Sequence, residues 1–417
     1  MSDVGSEIQQ IIRKQGPITF EQFMARALFS PNGGYYSSTD PVGADGDFYT
    51  SPSAHPLFGA LICLQLEQMW GILGNPPQFW VVEAGAGNGL LARSILDYLD
   101  NLSTNFRKAM RYVAVDMGAA IKKPGERFDK VLAFGLPFKR LVGCILSNEL
   151  VDAFPVHRFQ VKDGVVQEVF VTYDRDRDTF TEILGKPSTP KLASRLPANL
   201  PEGFRGEVNL QIDPWSNTLA KVLREGFVLT FDYGDTMQGL YRSNRRNGTL
   251  QCHYKHSIVH DPYVRLGQQD ITAHVDFSAL SEAGERAGLT KLGVVSQRSF
   301  LENLGAKVFM RVFSSEARTS RTRRITQQDY LANRAGILSL LNPEGLGAFN
   351  VLVQAKGVDA SQVELQGIFP NEEWERNLEL SVGMGGVPRI RHEHTPIFSG
   401  LYPDQDIELG AWWPWSR

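Results

Sequence analysis

The sequence predicts an α/β protein built on a parallel sheet. Three observations lead there: short apolar strand candidates recur through the middle of the chain, helical stretches lie between them, and a glycine cluster sits where one strand turns into a helix. Bulk composition agrees, since 42% hydrophobic and 21% charged residues in a chain of 417 are ordinary for a globular protein with a large core. Lys and Arg total 43 against 46 Asp and Glu, so a net charge of −3 gives no electrostatic reason to expect nucleic acid. Cys63, Cys144 and Cys252 are odd in number and far apart, which suits apolar fillers in a reducing, cytoplasmic setting better than disulfides or a thiolate metal site. The stretch "MSDVGSEIQQIIRKQG" has neither an apolar signal core nor the Arg-rich, acid-free character of a transit peptide. No apolar run approaches the ~20 residues of a membrane-spanning helix, so no membrane insertion is expected.

The elements follow in order. Ile8, Ile11 and Ile12 suggest a short helix, and Thr19 with Gln22 resembles a capping box opening "FEQFMARALF". "SPNGGYY" breaks that helix, and "GADGDFYTSPSAHP" is a polar loop of the kind that presents functional groups. Pro56 opens the helix "LFGALICLQLEQMWGIL". Strand "FWVVEAG", helix "LLARSILDYL", strands "RYVAVD" and "GCILSNE", and later strand "FVLTFDYG" complete the alternation. Between the last two, "HRFQVKDGVVQEVFVTYD" alternates like exposed strands and precedes the proline-rich "GKPSTPKLASRLPANLP", which reads as an inserted lobe at about residues 157–208. The domain expectation is a helical cap with its loop (1–56), a core (57–355) carrying that lobe, and an extension of unassigned role (356–417).

The chemistry centres on "EAGAGNG". Left-handed glycines between a strand and a helix let backbone approach a ligand and aim helix N-terminal amides at it. A nucleoside triphosphate is disfavoured, because no Gly-Lys-Ser/Thr follows. A dinucleotide is disfavoured too, because Leu90 stands where the third small residue of G-x-G-x-x-G/A belongs. What remains is acid-x-G-x-G-x-G, with Glu83, Gly85, Gly87 and Gly89, a turn suited to S-adenosylmethionine (SAM), which carries an ammonium and a sulfonium instead of phosphate. Glu83 would face that positive charge, and Asp116, ending the next strand, would accept the ribose hydroxyls. The plain alternative is a structural glycine turn beside two unrelated acids.

"SNELVDAFPVHRF" then places Asn148, Glu149 and Asp152 at the carboxyl end of a strand, where doubly wound sheets bind ligands. Asn148 is read as a cofactor-side residue. Glu149 and Asp152 would share a face if a helical turn began there, although an N-cap with acids in its first turn would look the same. Asp232 and Tyr233 end the next strand in an equivalent position. His253, His256 and His260 have ligand-like spacing, but the segment reads as a surface turn or strand, and no metal is expected. The run Arg318, Arg321, Arg323 and Arg324 reads as a solvated face.

At this point the chain resembles the MidA-like SAM-dependent methyltransferases. The stretches that carry the resemblance are "GPITFEQFMARALFSPNGGYY", "GADGDFYTSP", "PLFGALI", "VVEAGAGNG", "SNELVDAFPVHRF", "FDYG", "GTLQCHYKH", "DITAHVDFSAL" and "NPEGLGAFNVLV". The family commonly has Pro and Arg within the glycine turn, where this chain has Ala86 and Asn88, and "MGAAIKKPGERF" after Asp116 is unusual. The resemblance implies a class I, Rossmann-like core with a cap, an inserted lobe and a C-terminal extension. It also implies SAM as cofactor and a protein arginine as acceptor, since the family includes a mitochondrial arginine methyltransferase that acts in assembly of respiratory NADH dehydrogenase. A respiratory complex subunit is therefore one candidate partner, and a homodimer one open oligomeric state.

Arginine methylation is chemically plausible for these residues. A guanidinium is always protonated and its lone pairs are delocalised, so acids must hold the planar fork and turn one nitrogen towards the methyl. The acids in family-like motifs are Glu149, Asp152, Asp47 and Asp276, with His274 a candidate proton acceptor. Two other readings stand beside this one: a small-molecule methyltransferase on the same core, and a non-enzymatic assembly factor that keeps the SAM fold.

Overall fold

The computed structural model describes residues 3–38, 49–118, 127–254, 257–319 and 326–394. Its centre is a seven-stranded sheet, whose strands are β1 (Phe79–Ala84), β2 (Met110–Asp116), β3 (Asp129–Leu132), β4 (Leu141–Asn148), β5 (Leu223–Asp232), β6 (Thr290–Ser296) and β7 (Asn350–Lys356). Their spatial order is β3-β2-β1-β4-β5-β7-β6. β1 to β5 pair in parallel, while β7 runs antiparallel to both β5 and β6. This is the doubly wound order with an antiparallel strand slipped between the last two, and the direction in which successive strands are added reverses between β1 and β4, where such sheets open a ligand crevice. The expected Rossmann-like core is present.

Burial on both faces explains why the strands read as unbroken apolar runs. One face packs under the helices Leu57–Ile72, Leu90–Leu99 and Ala306–Thr319, where Phe58, Phe231, Phe300 and Phe309 are wholly buried. The other face packs under Ile212–Val222 and Phe277–Ala287. Helix Leu57–Ile72 is apolar nearly all round, as a fully enclosed helix must be.

The strand-like region expected as a lobe forms His157–Lys162, Val165–Asp174, Thr179–Gly185 and Arg205–Val208. Its first turn has both Asp163 and Gly164 left-handed, the backbone that a two-residue Asp-Gly hairpin requires. Ile18–Thr19 adds a fifth strand beside Val165–Asp174, so the N-terminal helices and the lobe share one sheet. A small sheet of Gln251–Tyr254, Ser257–Val259 and Asp270–Thr272 packs into the same cluster, which contains Phe20, Phe23, Val171 and Ile271. His253 and His260 thus lie on and beside strands, and among the described residues no metal-ligating cluster occurs. His256, Arg321, Arg323 and Arg324 lie outside the described residues. Cys63, Cys144 and Cys252 are buried free thiols.

Residues after β7 return to the core. Val363, Leu365, Leu378, Val382 and Val387 are buried in the main cluster. The seam β1–β4–β5 is tighter than any side chain allows, because a Cβ on Gly143 would sit 1.9 Å from the Trp80 carbonyl oxygen and one on Gly226 would sit 1.9 Å from the Gly143 oxygen. Both glycines have positive φ, +152° and +141°. Gly143→Ala should therefore destabilise the fold by about 2–4 kcal/mol. An unchanged melting temperature would show that the seam can open at no cost.

Candidate active site

The loops at the carboxyl ends of β1, β2, β4 and β5 converge on one region, and each is held by hydrogen bonds that the sequence motifs foreshadow. The glycine turn comes first. Gly85, Gly87 and Gly89 have φ of +71°, +50° and +77°, so all three occupy the left-handed region that motivates glycine. The amides of Gly85 and Ala86 donate to the Val115 carbonyl at 2.9 and 3.1 Å, and the Gly87 amide donates to Asp116 Oδ2 at 2.8 Å. Asn88 Oδ1 accepts from the Leu90 amide at 3.0 Å, so this departure from the family turn closes a local turn onto the first residue of the helix that follows. Arg93 Nη1 donates to the Asn88 carbonyl at 2.9 Å.

Asp116 ends β2 beside that turn, and its second oxygen accepts from the Gly118 amide at 2.7 Å. Glu83 is buried within β1, where Tyr112 Oη donates to Oε2 at 2.8 Å. Burial pushes its carboxyl up to about 8, with Asp116 adding to the rise while the Tyr112 bond, Arg93 and Lys130 oppose it.

The second half is built by Asp232 at the end of β5. Its Oδ2 accepts from the amides of Leu150, Val151 and Asp152 at 3.2, 2.9 and 3.3 Å, and its Oδ1 accepts from the Tyr233 amide at 3.0 Å. The loop after β4 consequently coils around a carboxylate as a turn and starts no helix. This replaces the shared helix face expected for Glu149 and Asp152, and it also removes the N-cap alternative. Glu149 is forced to φ +49°, a strained backbone for a residue with a Cβ.

Within that loop Asn148 Nδ2 donates to Glu149 Oε1 at 2.9 Å, and the Ser51 backbone adds a second bond. Tyr233 lies against Asp152 and Thr272, and the Ala273 amide donates to the Asp152 carbonyl at 3.0 Å. Tyr36 Oη donates to Asp270 Oδ2 at 3.0 Å nearby. Asn148 Oδ1 and Asp152 Oδ1 are buried and accept no hydrogen bond. Burial raises Glu149 to about 8, with Asp152 reinforcing it, and raises Asp152 to about 6.

The remaining expected residues are spread further. Asp276 caps helix Phe277–Ala287, its Oδ1 accepting from the Ala279 amide at 2.9 Å. His274 lies behind Tyr233, ring to ring at 5.3 Å, and burial together with Arg245 lowers it to about 4, so it is neutral at physiological pH. Asp47 lies outside the described residues. Tyr36, Asp270 and Thr272 border the site as well; they lie within "GGYY" and "DIT", two of the stretches that carry the family resemblance, and nothing in their local spacing marks them as site residues. The strand-end position of Asp232 and Tyr233 is the signal in the sequence that finds them.

Comparison with known proteins decides the family. Residues 61–295 match a family model described as S-adenosyl-L-methionine-dependent methyltransferase. The chain belongs to that family. The methyltransferase is also 28% identical to "Protein arginine methyltransferase NDUFAF7 homolog, mitochondrial" of Drosophila melanogaster, over 87% of this chain and 86% of the fly protein. It is 29% identical to the mouse "Protein arginine methyltransferase NDUFAF7, mitochondrial" over 73% of this chain and 75% of that protein. A Burkholderia thailandensis protein crystallised with S-adenosyl-homocysteine superposes with a TM-score of 0.75 at 29% identity, covering 87% of this chain and 94% of the other. These relatives overturn one expectation. The fly and mouse proteins are named as mitochondrial, which conflicts with the cytoplasmic location inferred above. Reduced, buried cysteines fit either compartment, so they could not carry that inference.

Two predictions follow from this geometry. A valine at position 87 would combine a β-branched side chain with φ +50° in the turn, so Gly87→Val should abolish binding of S-adenosyl-homocysteine in calorimetric titration while the fold survives. Unaltered affinity would place the cofactor elsewhere. The second concerns pH. Glu149 and Asp152 bind protons more tightly folded than unfolded, so the stability they contribute is present at low pH and is lost as pH rises through about 6 for Asp152 and about 8 for Glu149. Glu149→Gln should accordingly melt higher than the parent at about pH 9 and equal to it at about pH 4. A lower melting point at both would mean that the carboxylate stabilises the loop.

Proposed function

We propose that this methyltransferase moves the methyl group of SAM to an arginine side chain of a protein acceptor, with Glu149 and Asp152 gripping the guanidinium. The observation that carries the proposal is a buried surplus of acceptors: Asn148 Oδ1 and Asp152 Oδ1 accept no hydrogen bond, and they adjoin a Glu149 carboxyl held in strained backbone. Buried acceptors without donors cost about 1–3 kcal/mol each, so the site favours a ligand rich in N–H groups. A guanidinium offers five, in a flat fork that matches paired carboxylates. The names of the relatives, which are protein arginine methyltransferases, support the same acceptor.

The cofactor side fits its ligand. The left-handed glycines bring bare backbone to the crevice, no phosphate-binding Gly-Lys-Ser/Thr is present, and Asp116 stands beside the turn with lone pairs to spare for ribose hydroxyls. SAM bound there supplies an electrophilic methyl on a sulfonium. Gly85, Gly87, Gly89 and Asp116 hold the cofactor, with Asn148 and Glu149 where the two halves meet.

The protein's own work is then positioning and proton handling. An entering guanidinium displaces the proton that burial keeps on Glu149, and the Glu149 and Asp152 carboxylates orient one nitrogen in line, which contributes several kcal/mol. As that nitrogen bonds to the methyl it becomes more acidic, and Glu149, with its raised proton affinity, accepts the proton it sheds. Tyr233 keeps Asp152 in place from behind. A respiratory complex subunit is the partner class suggested by the family resemblance.

Glu149→Gln and Asp152→Asn should leave SAM affinity within a few fold while removing methylarginine formation, a loss of about 3–5 kcal/mol in transition-state stabilisation each. In the parent, acceptor kcat/KM should rise with pH through the range of about 6 to 8 in which these carboxyls lose their protons. Mass spectrometry of arginine methylation reads the first outcome. Both variants methylating at the parent rate would sink the assignment. SAM binding by the parent with no gain of methylarginine on any host protein would favour the non-enzymatic reading.

A further inference from the structure

We infer that the C-terminal segment around Glu393 is a positioning element for the cofactor turn, acting through Arg93. This inference rests on the reading of Gly85 to Gly89 as the SAM cradle. Arg93 stands one turn into helix Leu90–Leu99 and does two things at once. Its Nη1 donates to the Asn88 carbonyl inside the glycine turn at 2.9 Å, and its Nε pairs with Glu393 Oε2 at 3.4 Å. Both side chains are largely buried, with 18% and 19% of their surface exposed, so the pair is shielded from salt and solvent more than a surface ion pair would be. Glu393 thereby fixes the rotamer of the arginine that pins the turn from below.

The segment is anchored at two further points. Arg391 Nη1 pairs with Asp97 Oδ2 at 2.6 Å, one helical turn beyond Arg93. The Ile390 amide donates to Asn333 Oδ1 at 2.9 Å, and the same oxygen faces His55 Nε2 at 3.1 Å. The Leu57 amide donates to His55 Nδ1 at 3.0 Å, so the imidazole is a neutral Nε2–H tautomer that donates to Asn333. His55 follows the short helical turn Ser51–Ala54, whose Ser51 backbone bonds Glu149. Residues 390–393 therefore touch supports of both halves of the site. Of these contacts of residues 390–393, the Glu393–Arg93 pair is the one that leads to the cofactor turn, through the Arg93 bond to Asn88.

The experiment is calorimetric titration of the full chain with S-adenosyl-homocysteine, alongside thermal unfolding without ligand. Glu393→Gln should weaken Kd by about 5–10-fold, the size of a partly buried ion pair. Glu393→Asp should recover most of that loss. Asp97→Asn breaks the neighbouring anchor but leaves Arg93 alone, and should bind within about twofold of the parent. In turnover, KM for SAM should rise in Glu393→Gln with KM for the acceptor unchanged. A Glu393→Gln protein that melts lower yet binds S-adenosyl-homocysteine like the parent would overturn the inference, since the segment would then be a stabilising strap only. If Gly87→Val also bound normally, the cradle reading itself would fall and take this inference with it.

Discussion

The Asp232 carboxylate is the interaction on which the site depends. It accepts four backbone N–H groups, three from the loop after β4 and one from its own neighbour, and so ties the carboxyl ends of β4 and β5 together. Burial and the nearby carboxyls of Asp152 and Glu149 push its proton affinity up, and the amide bonds pull it back. Without an acceptor at this point, consecutive buried amides from 150 to 152 would have no partner, and the loop would have no reason to pass through φ +49° at Glu149.

That arrangement stores cost where chemistry is needed. Two buried carboxyl groups and the half-buried one of Glu149 lie together, two acceptor oxygens have no donor, and one backbone residue is strained. Each feature alone would be removed by selection for stability. Together they form a surface that, under the function proposed above, a donor-rich cation would relieve. Stability and binding then trade against each other through the same atoms, which is the usual signature of a functional site and is not expected of a scaffold that merely keeps a fold.

How much could be read beforehand follows from the range of each interaction. The glycine turn, the helix Leu90–Leu99 and the strand-end acid Asp116 are local features, written in spacing and turn chemistry, and the structure places them side by side. "SNELVDAF" misleads for the opposite reason. Its local pattern is that of a helix start, but the partner that decides its conformation lies 80 to 82 residues further on. The sharing of one sheet by Ile18–Thr19 and the lobe is likewise invisible to local periodicity, because a two-residue strand has no period and its partner is Val165–Asp174. Asp276 shows the converse limit: an acid in a family motif whose carboxylate is spent on capping a helix.

The substitution of Asn88 within the turn shows how the two scales combine. The resemblance flags it as a departure, and composition alone cannot say whether the turn survives. The structure answers with two bonds: its side chain takes the Leu90 amide that a helix start leaves unpaired, and its carbonyl takes Arg93. The cofactor half is thus restrained through the helix it precedes, whereas the acceptor half is restrained through the strand beside it. The glycine turn is held mainly by its own helix and by β2, and the loop after β4 mainly by β5, so most of the bonds that shape one do not shape the other.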